Sequence, residues 1–209
     1  MIGAVILAAG ESRRMGTQKL LLPFDGTTVI AHIVEQVRAS RIDRIVVVTG
    51  HDRTGVTAAL EGCGVTFAHN ANYTGGMLTS VRCGLAALPT ETSAFVVVLG
   101  DQPGVTPAVI DALIDAFEKR THDIVVPMYD NGSGHPIVIA ARYREAIMTQ
   151  FDTTGLRGLV RGRPESVLRL TVSNDGVLHD MDTPEDYERE LRRARQAEQV
   201  KTYRLGVDK

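Results

Sequence analysis

Leu7, Ala8, Ala9 and Gly10, followed by Ser12, Arg14 and Lys19, put small residues and cations on one short stretch directly after the apolar run Ile2 to Leu7. Small residues leave the main chain bare, so backbone N–H groups can approach phosphate oxygens. Arg14 offers a planar fork of donors and Lys19 a mobile point charge, two different grips on one polyanion. The chemistry indicated is the gripping of a triphosphate. The spacing excludes a Walker loop, because Gly10 is followed by five residues, Gly16 and then Thr17 rather than Lys. It also excludes the dinucleotide fingerprint, which needs glycine where Ser12 stands.

Two acidic segments stand far from this loop in sequence. Val96 to Leu99 is wholly apolar and runs into Gly100-Asp101-Gln102-Pro103. An acid at the carboxyl end of a buried strand suits a hard divalent cation, which takes carboxylate, water and phosphate oxygens and needs only one or two acids from the protein. A turn or helix cap before Pro103 is the alternative role for Asp101, and Gly100 leaves room around it. In His179-Asp180-Met181-Asp182-Thr183-Pro184-Glu185-Asp186, the residues Thr183, Pro184 and Asp186 form a capping box that opens the last helix. Asp182 is left with no capping duty, and Asp180 shares its face if the segment is extended. Between these acids and the loop, Asn72 to Ser80 turns into a helix through Gly75 and Gly76. Its first amides and the Ser80 hydroxyl suit a base or ribose, while Met77 and Leu78 are expected in the core.

The first loop resembles the signature L-A-(A/G)-G-x-S-x-R-M-G-x-x-K of the MobA/MocA-like nucleotidyltransferases. The chain is most similar to the molybdenum cofactor cytidylyltransferases and their guanylyltransferase cousins, over about residues 3 to 190. The resemblance implies nucleotide binding by Leu7, Ala8, Ala9, Gly10, Arg14, Lys19, Gly76 and Ser80. It implies catalytic roles for Arg14, Lys19 and Asp101, and a Mg2+ cofactor on Asp101 and Asp182, since an acid before Thr-Pro-Glu is the second metal ligand in related transferases. Gly132-Ser133-Gly134-His135-Pro136 is similar to the G-x-G-H-P segment facing the acceptor, which assigns Gly134 and His135 there, although a plain turn accounts for the same residues. Arg157 joins them from Gly155-Leu156-Arg157, whose preceding residues Asp152 to Thr154 depart from the family pattern.

The implied reaction moves a nucleotidyl group from a nucleoside triphosphate to a phosphorylated acceptor, molybdopterin, with release of diphosphate. CTP is favoured over GTP because Ala9 stands where the guanylyl-transferring cousins carry glycine. A client molybdoenzyme or its maturation factor is the implied protein partner. Other readings are transfer to a sugar or polyol phosphate, flavin- or nicotinamide-dependent reduction on the same fold, and binding of a nucleotide or cofactor without catalysis.

The elements that must position these residues alternate along the chain. Ile2 to Leu7, Ile45 to Thr49, Val65 to Ala68, Phe95 to Leu99, Ile124 to Val126 and Pro136 to Ala140 read as short buried strands of a largely parallel sheet. Between them run helical stripes: Val29, Ile30, Ile33, Val34 and Val37; Met77, Leu78, Val81, Leu85 and Leu88; Ile110, Leu113, Ile114 and Phe117. Thr106-Pro107 caps and opens the third stripe. The pattern predicts a doubly wound, Rossmann-like α/β fold of one domain over 1–195, with a charged, frayed tail over 196–209 and the ligand beyond the carboxyl ends of the strands.

Composition fits that picture. The 209 residues are 44% hydrophobic and 23% charged, and 23 Lys and Arg against 25 Asp and Glu give a net charge of −2, which points away from nucleic acid and membrane surfaces. The N-terminus has neither the charged region nor the cleavage site of a signal peptide, so a cytoplasmic location is expected. Cys63 and Cys83 lack paired metal spacing and are expected as buried free thiols.

Overall fold

The apolar N-terminal run forms β1 (Ile2–Ala8) at the heart of the molecule, followed by a small hairpin, β2 (Pro23–Phe24) and β3 (Thr27–Thr28). The chain then alternates through α1 (Val29–Arg38), β4 (Arg44–Thr49), α2 (Arg53–Ala59), β5 (Thr66–His69), α3 (Met77–Ala87), β6 (Ala94–Leu99) and α4 (Pro107–Glu118). It continues through β7 (Ile124–Tyr129), β8 (Gly132–Ser133), β9 (Ile137–Ala140), α5 (Arg144–Thr149), α6 (Gly155–Arg161), β10 (Val167–Thr171) and α7 (Pro184–Val207). This computed structural model describes residues 1–207, with side chains as far as residue 196.

The main sheet has the order β10-β7-β9-β6-β1-β4-β5, with β8 added on β7. β1 lies parallel to both β4 and β6, β4 to β5, and β7 to β10, whereas β9 runs antiparallel between β6 and β7. Strand alternation sends Ile2, Ala4, Ile6 and Ala8 into one core with α1 and α4, and Val5 into the other with α3, Ile147 of α5 and Leu159 of α6. Helices therefore cover both faces, as the doubly wound pattern requires. The sheet order departs from β1 in two directions, towards β4 and towards β6, and that switch point opens a crevice at the carboxyl ends of β1 and β6.

Several expectations are corrected in detail. β5 is an edge strand whose Phe67 is 38% exposed, so it is not buried on both faces. Met77 is 53% exposed instead of in the core and lines an open cavity at the start of α3; Leu78, one position on, is buried as expected. Thr106 stands at the N-cap of α4 with Pro107 in the first turn, but its side chain makes no capping hydrogen bond. Cys63 and Cys83 are free thiols that are half-buried. The backbone of α7 continues to Val207, through most of the expected tail, in keeping with its Arg, Ala, Glu and Gln content; Asp208, Lys209 and the side chains beyond residue 196 lie outside the described residues. Among the described residues no helix is long and apolar enough to cross a membrane.

Candidate active site

The loop after β1 is shaped by its own residues and by two bare neighbours. Ser12 adopts a left-handed conformation, its hydroxyl donates to Gln18 Oε1 at 2.8 Å, and the Lys19 backbone N–H donates to Ser12 Oγ at 3.1 Å. This local brace fixes where Lys19 leaves the main chain. The residues just after β4 and β6 must let the end of β1 and the start of the loop pass close to them: a Cβ at Gly50 would stand 2.6 Å from the Ala9 carbonyl oxygen, and one at Gly100 2.5 Å from that of Leu7. Gly100 thus serves the approach of β1, where the sequence suggested that it cleared room around Asp101. No atom lies within 4 Å of a Cβ built on Gly10, so this stretch of backbone faces open space.

The acids arrive from two directions. Asp101 follows β6 after the single residue Gly100. The segment carrying the second pair is held alongside by the Met181 backbone N–H, which donates to the Asp101 carbonyl oxygen, while the Met181 side chain is fully buried. Alternation along an extended chain then turns Asp180 and Asp182 the other way, and both line the same cavity as Asp101. The capping box forms as expected: Asp186 Oδ2 accepts from the Thr183 backbone N–H at 2.9 Å, and the Asp186 N–H donates to Thr183 Oγ1 at 3.2 Å. It leaves the Asp182 carboxylate free for the crevice.

Lys19 joins the two acids. Its Nζ donates to Asp101 Oδ2 at 2.6 Å and to Asp182 Oδ1 at 2.8 Å, and Arg14 donates to Asp182 Oδ2 at 2.6 Å. Burial by itself would depress the Lys19 pKa, but the Asp101 and Asp182 carboxylates outweigh it and hold the ammonium above its ordinary value. Burial pushes the Asp101 carboxyl up; Lys19 pulls it down without cancelling the rise, and Asp180 and Asp182 add to it. Burial also acts to raise Asp182, but Lys19 and Arg14 prevail and its carboxyl lies below the usual range. Asp180 is not bare either, since Gln102 Nε2 donates to its Oδ1 at 2.8 Å.

These groups line a cavity of about 590 Å³ that also takes in Leu7, Ala9, Gly10, Gly76 and Ser80, so all but Ala8 of the expected nucleotide residues come together. Ala8 points into the core and is 2% exposed. Gly76, at φ 96°, opens α3 with no side-chain cap. Ser80 accepts from Asn70 Nδ2 at 3.0 Å. The sequence reading passed over Asn70, a buried amide that also donates to Thr79 Oγ1 at 2.8 Å and so fixes the start of α3; a polar residue closing a short strand carries no pattern that marks it. Tyr73 and Thr74, missed as well, line the same wall.

The acceptor-side residues lie outside this cavity lining. His135 is half-buried, and burial brings its pKa down to about 4, with Asp101 opposing that fall and Arg157 adding to it. That coupling puts Asp101 and Arg157 each within electrostatic reach of His135. The bare face of Gly134 is taken by the protein, because a Cβ there would overlap the Val177 carbonyl oxygen. Its glycine is accounted for by packing, so no approach of an acceptor is needed to explain it.

Among the described residues no three His, Cys, Asp or Glu side chains converge as a self-sufficient metal cluster. The donor set nonetheless fits a hard divalent ion: two carboxylates face a common point that already holds a positive charge, the Lys19 ammonium, and phosphate oxygens would complete the shell.

The protein-family profile described as "MobA-like NTP transferase domain" matches residues 4–168. Among characterised relatives, the molybdenum cofactor cytidylyltransferase of Escherichia coli (strain K12) is 29% identical over 188 residues, covering 89% of this chain and 93% of the relative. Nicotine blue oxidoreductase of Paenarthrobacter nicotinovorans is 29% identical over 197 residues, covering 91% and 96%. The crystal structure of Rv0371C of Mycobacterium tuberculosis H37Rv in complex with manganese superposes with a TM-score of 0.78 at 30% identity, covering 91% of this chain and 98% of that one.

Proposed function

We propose a function from the premise that the chain belongs to the MobA-like NTP transferase family and is a nucleotidyltransferase: with Mg2+, it moves a CMP group from CTP to a phosphorylated acceptor, molybdopterin, and releases diphosphate. One observation carries this reading. A basic loop and two acids separated from it by more than eighty positions meet at Lys19 Nζ, on the wall of a cavity large enough for a nucleotide.

The chain's own residues do most of their work by position and charge. The open backbone at Gly10 and the uncapped start of α3 present N–H groups to the nucleotide. Arg14 and Lys19 counter the negative charge of the polyphosphate as it develops on the leaving diphosphate. A phosphate oxygen of the acceptor forms a bond to the α-phosphorus as the α–β phosphoanhydride breaks, and the electron pair leaves with diphosphate. An acceptor phosphate is already ionised near neutral pH, so no residue need remove a proton. Arg157 supplies the cation that holds this acceptor, and His135, neutral under these conditions, donates a hydrogen bond to it. Asp101 and Asp182 would hold the magnesium ion, whose contribution when bound is Lewis-acid neutralisation of the polyphosphate. The manganese complex of the M. tuberculosis protein supports a divalent ion in this family.

The test is diphosphate release from each of the common triphosphates with magnesium and molybdopterin. CTP is expected to lead; GTP outperforming it refutes the base assignment. Release with a sugar or polyol phosphate, but not with molybdopterin, moves the acceptor to that class. The similarity to nicotine blue oxidoreductase favours a redox reading as the second candidate, and a flavin spectrum of the purified protein would support it. A cytoplasmic enzyme serving a client molybdoenzyme is the setting that this function implies.

A further inference from the structure

Lys19 occupies the place that a metal ion would take. Its ammonium lies 2.6 Å from Asp101 Oδ2 and 2.8 Å from Asp182 Oδ1, bridging two carboxylates that arrive on different segments. The residue is 8% exposed, so this is an enclosed contact with little screening by water. An ammonium and a divalent cation seek the same oxygens, and charge repulsion keeps both from lying between them together.

We infer that Lys19 is a resident counter-ion of the two acids, which a divalent metal must displace, and that the polyphosphate of the incoming nucleotide is what draws it away. The inference rests on the reading of this cavity as a metal–triphosphate site. Lys19 is built for such a transfer. Its backbone is pinned by the Ser12 hydroxyl, which is itself engaged with Gln18, while its four-carbon stem lets the charged head swing. Arg14 stays on Asp182 from the other side, at 2.6 Å from Oδ2, and Asp180 is tied to Gln102. Asp101, Asp180 and Asp182 thus line a cavity whose cations, among the described residues lining it, are Lys19 and Arg14, apart from Arg13, which pairs with Glu11. Once Lys19 turns to phosphate, Asp101 loses the cation it is paired with, and a divalent ion restores the balance. Metal loading and nucleotide loading are thereby linked: each favours the other, because each requires or causes the same departure of Lys19.

The measurement is Mn2+ binding to the purified protein without nucleotide, followed by loss of the free-ion electron paramagnetic resonance signal. The wild-type protein should take the ion weakly. Lys19→Met, which keeps the length and removes the charge, should take it tighter by about tenfold or more. Lys19→Arg keeps a cation near the acids and should remain close to the wild type. Affinity in Lys19→Met equal to or below that of the wild type overturns the inference. If that variant does not fold, Lys19→Gln gives the same comparison, and the Mn2+-dependent rise in its melting temperature, larger than the rise in the wild type, is the second readout. Failure here is distinguishable from failure of the proposed function. No gain in Mn2+ affinity beside a wild-type protein that turns over CTP rejects the exchange and leaves the function; the gain beside a wild-type protein inert towards every acceptor rejects the function and leaves the exchange.

Discussion

The Met181 backbone N–H donates to the Asp101 carbonyl oxygen at 2.9 Å, and this one bond lays the second acidic segment beside the first. The buried Met181 side chain anchors that segment, so the direction of Asp180 and Asp182 depends on a residue that touches no substrate. Met181→Ala should destabilise the fold by about 2–5 kcal/mol, the usual cost of emptying a buried methionine site. It should also lower turnover more than KM, because the acids lose their register. Chemical denaturation and steady-state kinetics check both; wild-type kinetics in a destabilised protein would separate the anchor from the site.

Lys19→Ala and Asp101→Asn should each reduce diphosphate release by about 10²–10³-fold, the scale seen when one preorganised charge is removed from a transfer site. Chelating divalent ions should abolish release in the wild type. The two variants differ in stability. Lys19→Ala leaves neighbouring carboxylates without their shared cation and should melt lower, whereas Asp101→Asn removes a charge whose pKa burial already raises and should cost less. Near-wild-type rates in either purified variant rule out its role.

How much of this was legible in the sequence follows from how local each signal is. The loop from Leu7 to Lys19, the apolar strand before Asp101 and the capping box at Thr183 and Asp186 are contiguous patterns, and each appears where it was expected. The two-residue hairpin strands around Asp25-Gly26 were missed although that dipeptide is a turn signal, since strands this short have no periodicity. α2 was missed because Arg53-Thr54-Gly55-Val56-Thr57 carries one buried apolar residue and no stripe. β10 alternates, with Val167 buried and Arg169 exposed, and lies at the sheet edge beside β7. The reversal of β9 is set by where the chain re-enters between β6 and β7, which no window of its own sequence contains. At the site, Asn70 and Gln102 act through hydrogen bonds to residues nine or more positions away, and such partners emerge only from the fold.

Gly134→Ala should destabilise the protein by about 1–3 kcal/mol, because the new methyl meets a backbone oxygen, that of Val177, which has no rotamer to adopt. The Gly134 N–H also donates to Pro127 O and the His135 N–H to Val177 O, so relief by moving the chain breaks a hydrogen bond on one side or the other. Thermal melting is the check. A variant that melts like the wild type but shows a raised acceptor KM would instead place the glycine at the acceptor.

His135 gives the pH dependence a definite sign. Its pKa falls from 6.5 to about 4 in the folded protein, chiefly through burial. Between those two values the unfolded chain binds a proton that the folded chain refuses, so stability rises with pH across that window and its full value is reached above about 6.5. As the pH falls, the protein loses stability through the window, and the loss levels off below about 4. His135→Gln removes this slope and should melt less acid-sensitively than the wild type over the same range. The same reasoning makes His135 a neutral hydrogen-bonding group during turnover, so the acceptor kcat/KM should show no inflection near 6.5 that disappears in His135→Gln. Such an inflection would mean that the imidazole takes up a proton in the working enzyme and that Asp101, the one group here that raises its pKa, outweighs burial.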